Sequence, residues 1–185
     1  MPDHVIEQDA AKILIGDGDR PAFELLTFWH RNFGIIGSSI IPHFDKLILL
    51  DAFNPNTSSP RILYQGETSL ASRIMGSKWA MNPVDAADAF DADYRKLVGT
   101  HYLKAETTQT PIFDLVATHV YAGNGLNPRR YERLILPVKS QLGAKFLLCY
   151  SFETGSDLRE SSSGPSDEYP IDQRQQSRHL SNPAV

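Results

Sequence analysis

One cysteine, Cys149, stands in a chain of 185 residues. That count excludes an internal disulfide framework and a thiolate metal cluster. Cys149 lies within the apolar run Phe146 to Ser151, where a thiol behaves as a small buried hydrophobe rather than a nucleophile. Long hydrophobic runs are missing too. Nothing approaches the roughly 18 apolar residues of a membrane span, and MPDHVIEQDAAKILIG has no basic segment followed by an apolar one, as a signal peptide would. A cytoplasmic protein without a membrane partner is the expectation. Basic residues are not in excess. A net charge of −4 supplies no field that would draw the protein to nucleic acid. Six histidines occur, but those in the central region, His30, His43, His101 and His119, share no HxxxH or HxH spacing, so no metal site is expected. The chain contains no G-x-S-x-G, and Gly16-Asp17-Gly18 reads as a turn rather than a phosphate loop.

What is present is an ordinary globular balance, 41% hydrophobic and 22% charged. The length suits one domain with loose ends. Residues 1–20 read as a flexible polar arm with one apolar patch, Ile13 to Ile15. Residues 155–185 are rich in Ser, Gln, Arg and Asp, scatter their apolar residues, and read as a disordered tail. The domain is expected over 21–154.

Within it, Asp19 or Arg20 caps a helix with Pro21 in its first turn. Leu25, Trp29 and Phe33 recur at helical spacing, and Gly34 is a plausible stop. Residues 34–42 read as an apolar loop. Lys46 to Phe53 and Arg61 to Glu67 form a hairpin across a turn rich in Asn, Ser and Pro. A short helix follows over Ser69 to Met75. Asn82 and Pro83 open a longer helix with an aromatic-rich stripe running to Ala105. Ile112 to Tyr121 is a third strand. Leu134 to Val138 and Phe146 to Ser151 complete a second hairpin, in which Pro137 signals a bulge or strand end. The fold class is α+β: a five-stranded antiparallel sheet with helices on one face and an extra N-terminal helix.

This order resembles the PAS fold. Four stretches sharpen the resemblance: FWHRNFG at Phe28 to Gly34, FDKLILLD at Phe44 to Asp51, Tyr64-Gln65-Gly66-Glu67, and RRYERLILPV at Arg129 to Val138. They are similar to a bacterial PAS-like family, common in alphaproteobacteria, with a tryptophan-bearing N-terminal helix and an RYxRLxLP strand. The resemblance covers roughly residues 22–153 and implies a sensory or regulatory module without catalytic residues of its own. It names no cofactor.

The residues themselves offer one candidate pocket. Trp79, Phe90, Tyr94, Tyr102, Phe113 and Tyr150 lie on elements expected to enclose the concave face. They form either a filled core or the lining of a small-molecule site, with Tyr94, His101 or Arg133 as the polar handle. The ligand-binding set is therefore Trp79, Tyr94, Tyr102, Phe113, Arg133 and Tyr150. If Leu134 and Leu136 face the helices, alternation sends Arg133 to the outer face. The basic residues around Tyr131 are expected at the surface, in a cation stack or in salt bridges to Glu132. Helix 22–33 is the candidate surface for a homodimer or a partner protein. The alternative function is a small α+β enzyme in which His101, Asp114 and His119 transfer protons.

Overall fold

The computed structural model describes residues 3–51, 60–76, 92–122 and 125–154, and of 92–94, 120–122 and 125–127 only the backbone. These residues belong to one compact unit, Met1–Thr154. The expected tail over 155–185 and the cap at Asn82-Pro83 lie outside the described residues.

The elements run β1 His4–Gln8, α1 Ala11–Leu14, α2 Arg20–Arg31, a 3-10 helix Ser38–Lys46, β2 Leu47–Asp51, β3 Ile62–Gln65 and α3 Leu70–Met75. After them come α4 Ala92–Thr108, β4 Ile112–Ala122, β5 Gly125–Lys139 and β6 Lys145–Glu153. The strands form one antiparallel sheet in the order β1-β4-β5-β6-β2-β3. The two expected hairpins and the third strand supply five of its members. This is the PAS-like α+β arrangement, with one strand more than the sequence suggests.

The additional strand is β1. Where a flexible arm is expected, His4 to Gln8 pair with Ala117 to Phe113 along the edge of β4. Asp3 fastens its start by accepting hydrogen bonds from Thr118 Oγ1 at 3.1 Å and from the backbone N–H of His119 at 3.2 Å. Lys104 of α4 reaches Glu7 at 2.6 Å. The apolar patch of the arm is likewise used, since Ile13 of α1 is fully buried.

Helices cover both faces of the sheet, the extra N-terminal helix lying opposite α3 and α4. On the first face, Ile13, Leu25, Leu26, Phe28 and Ile40 pack on Phe113, Leu134, Leu136, Leu148, Tyr150 and Phe152. Asp19 sets the position of α2. One carboxylate oxygen accepts from the Ala22 N–H at 2.9 Å, capping the helix, and the other accepts from the Tyr150 hydroxyl at 2.5 Å. Burial, reinforced by that carboxylate, pushes the Tyr150 phenol far above its ordinary pKa. On the second face, α3 and α4 cover Val116, Tyr131, Ile135, Leu147 and Cys149.

Pro137 makes neither a bulge nor a strand end. Pairing of β5 with β6 continues in register through Lys139, whereas β4 ends opposite Ile135. Alternate residues of an antiparallel strand bond to opposite neighbours, so the missing N–H of Pro137 falls on the side β4 has vacated. Its carbonyl there accepts from Trp29 Nε1 at 2.6 Å. The next residue on that side, Lys139, bonds to Gly34 and Ile36 at 2.8 Å each. The chain after α2 thus closes the exposed edge of β5. The 3-10 helix takes residues 38–42 of the expected loop and continues to Lys46, expected in the first strand. Its His43 lies 3.1 Å from Glu24 of α2.

A buried polar row beneath the long helix

The face under α4 is apolar except along one line. Register places Glu7, Asp114, Arg133 and Ser151 side by side on β1, β4, β5 and β6. Strand alternation turns all four toward α4. On one side of the row lie Ala105, Ile112, Ile135, Leu147 and Cys149; on the other lie Leu70, Val98, Val116 and Tyr131. The row therefore splits the apolar packing of this face in two, and Tyr102 touches both parts.

Arg133 and Asp114 form its centre. Their side chains are 1% and 0% exposed. Arg133 donates from Nε to one oxygen of Asp114 at 3.0 Å and from Nη2 to the other at 2.6 Å. This two-pronged geometry is the strongest form of arginine–carboxylate pairing. Burial alone would raise the carboxyl pKa, but the Arg133 charge and a hydrogen bond from His101 outweigh it, so Asp114 sits below the usual carboxylate value. Burial likewise opposes the charge on Arg133, yet Tyr102 and Asp114 hold its pKa well above the ordinary value. The pair is therefore ionic.

Helix α4 closes over it with consecutive residues. His101 Nδ1 lies 2.8 Å from Asp114 Oδ2. An ionised carboxylate only accepts, so Nδ1 carries the proton. The Tyr102 ring lies against the guanidinium, its centroid 4.6 Å from Arg133 Cζ, a cation–π distance. The Tyr102 hydroxyl is 3.8 Å from Cys149 Sγ, which in turn lies 3.9 Å from Ser151 Oγ. Cys149 is 2% exposed. Burial pushes its thiol pKa up, away from nucleophilic use, in keeping with its sequence context.

Of the expected ligand-binding set, the structure brings Tyr102 and Arg133 together. Phe113 and Tyr150 belong to the packing under α2, on the opposite face. Phe113 stands opposite Leu134 in register, and adjacent strand residues point to opposite faces, so it does not share a wall with Arg133. Trp79 and Phe90 lie outside the described residues, and Tyr94 is described by its backbone alone. Arg133 is neither on an outer face nor in a surface cation stack: Leu134 and Leu136 face α2, and Arg133 faces α4.

The proton-transfer set also divides. His101 and Asp114 meet, but His119 does not join them. Five positions beyond Asp114 on one strand, it has the opposite parity, and its Nδ1 lies 2.9 Å from Asp3. Among the described residues no group of three His, Cys, Asp or Glu side chains is placed to hold a metal ion, and no helix is long and apolar enough to cross a membrane. Most of the apolar stripe expected to meet a partner is spent within the chain, with Phe33 the exposed exception. Leu25, Leu26 and Phe28 are buried and Trp29 is bonded to β5.

The expected ligand-binding set omits Asp114, which is placed instead with His101 and His119 for proton transfer; in the structure it is the counter-ion of Arg133. The available signal was an aspartate in a strand otherwise rich in β-branched and aromatic residues, a position where a carboxylate needs a cation.

No family model matches the chain, and no curated protein does. Eight chains of solved structures match. One is described as the structure of an RNA-binding light-oxygen-voltage receptor. Its match has 12% sequence identity and a TM-score of 0.41, over 68% of this chain and 37% of that one. The chain thus spans well under half of that receptor's length. A likeness this distant carries no argument, and the PAS-like description rests on the order and pairing of the strands.

Proposed function

We propose that this chain is a PAS-like sensory or regulatory module that binds a small molecule, a partner protein or both, and performs no catalytic step of its own. The observation that supports this reading is the ionic row under α4. An apolar core of equal size would hold the helix at least as well, because desolvating a buried pair offsets most of its attraction. The row ties the sheet to α4 at Lys104, His101 and Tyr102. A change of occupancy beside Arg133 therefore acts directly on the helix, favouring one of its positions over another. For a partner protein or a second copy, the outward side of the α2 region offers Phe23 and Phe33, which are 43% and 87% exposed.

Native mass spectrometry of protein purified from its own host tests both parts. A small-molecule adduct, or a mass above the monomer that Phe23→Ala/Phe33→Ser abolishes, is the expected result. A bare monomer refutes the proposal.

The His101–Asp114 contact favours a second reading, proton transfer by His101. Both oxygens of Asp114 are taken by Arg133, so the carboxylate serves the guanidinium as well as His101. His101→Gln separates the two. It abolishes turnover if the protein is an enzyme and leaves adduct binding measurable if it is a sensor.

A further inference from the structure

The guanidinium of Arg133 has more to give than Asp114 takes. Nε and Nη2 are bonded to the carboxylate, while Nη1 is buried and has no hydrogen-bond partner. A buried donor on a charged group is costly to leave unmade. It lies in a polar row with apolar packing on either side. A second unpartnered polar atom, Gln65 Oε1, is on the same face: Gln65 stands opposite Ile48, and Ile48 opposite Cys149. The layer under α3 and α4 thus holds both an unused donor and an unused acceptor.

We infer that Arg133 Nη1 is a ligand-recognition group, and that the ligand it takes is a neutral molecule presenting a hydrogen-bond acceptor, a carbonyl or amide oxygen, on an apolar body. This deepens the small-molecule reading proposed above and rests on it. Charge balance decides the class. Asp114 already neutralises Arg133, and the pair is fully desolvated. A carboxylate ligand would leave one uncompensated negative charge in a layer walled by Ile112, Ile135, Val116 and Tyr131, which carries a heavy desolvation penalty. A neutral acceptor receives a charge-assisted hydrogen bond from Nη1 and adds no charge. The apolar residues on either side of the row suit an apolar body, and Ser151, opposite Arg133 in register, lends a second polar contact.

Two pairs of isosteric probes test this: benzamide against benzoate, and hexanamide against hexanoate. Each is titrated into the full chain and followed through the ¹⁵N-resolved Nε–Hε signal of Arg133. Saturable shifts by at least one amide, with affinity about tenfold or more above its carboxylate, are the expected result. Arg133→Lys, which keeps the charge opposite Asp114 but has no Nη1, abolishes the shift of neighbouring backbone signals. Carboxylates binding as well as or better than amides overturn the neutral class and leave the site standing. Absence of binding by all four probes overturns the neutral class and the recognition role of Nη1 together. Asp114→Leu/Arg133→Met, which leaves no buried charge at the pair, serves as the second variant should Arg133→Lys fail to fold. Amide binding that survives in it overturns the role of Nη1.

Discussion

Removing one member of the Arg133–Asp114 pair should damage the fold far more than removing both. In Asp114→Ala the guanidinium stays buried, at 1% exposure, with no counter-ion. Such uncompensated charges cost about 3–5 kcal/mol, a large share of the roughly 5–15 kcal/mol that holds a domain together. In Asp114→Leu/Arg133→Met the charge is gone, and the new side chains join Ile112, Ile135, Val116 and Tyr131 into one apolar layer. That replacement should be neutral, or stabilising by about 1–4 kcal/mol. Urea denaturation followed by circular dichroism reads both. With an m-value of about 2 kcal/mol per molar, the single variant loses about 1.5–2.5 M in its midpoint and the double variant does not. Acid adds a signature. Because the Asp114 pKa is lowered on folding, its contribution is fully present above the ordinary value of 3.8 and is lost as pH falls through the lower folded value. The double variant should lack that portion of acid sensitivity. A single-variant cost below about 1 kcal/mol, as for exposed pairs, would mean that the pair is solvated. A double variant as unstable as the single would mean that the row is kept for stability, and the functional reading would lose its support.

Two further perturbations probe the elements that position the sheet. Tyr150→Phe removes the hydroxyl held by Asp19 and should cost about 1.5 kcal/mol near neutral pH by thermal unfolding. Since folding raises the Tyr150 pKa, its contribution is full below the ordinary value of 10 and is lost as pH rises beyond it. The deficit of the variant should therefore shrink above pH 10, and an unchanged gap would refute the assignment. Gly66→Ala would set a methyl group 2.1 Å from the Asp45 carbonyl oxygen. Thr68 holds that carbonyl by its backbone N–H at 2.9 Å, so the chain has little room to yield. A loss of about 1–3 kcal/mol is expected, and wild-type stability would show that this turn is looser than described.

The elements that declare themselves locally were legible in the sequence. Asp19 with Pro21 marks the start of α2 because a cap and a first-turn proline act within a few residues. Ser69 does the same for α3, accepting from the Ser72 N–H at 3.2 Å. The second hairpin was legible from its two apolar runs. β1 was not, because HVIEQ shows no alternation and owes its conformation to β4. The meaning of Pro137 depended on where β4 stops, which is tertiary information. The site was half legible. Alternation placed Tyr131, Arg133 and Ile135 on one face, but not which helix covers it. Applied to β4, the same rule separates Phe113 and His119 from Asp114, and the expected sets had mixed the two parities.

The pairing of β1 also sets an order of events during synthesis. Asp3 and His119, which meet at the edge of the sheet, are 116 residues apart in the chain. At about 5–20 residues per second, a ribosome takes roughly 6–23 s to bridge that interval. Throughout it, His4 to Gln8 have no strand to join, and the outer side of β4 does not yet exist. A strongly apolar segment would spend that time seeking other partners. A sequence with a glutamate, a glutamine and a histidine in five positions waits safely. The weak strand character that hides β1 from sequence reading is thus also what lets it arrive late at the edge it covers.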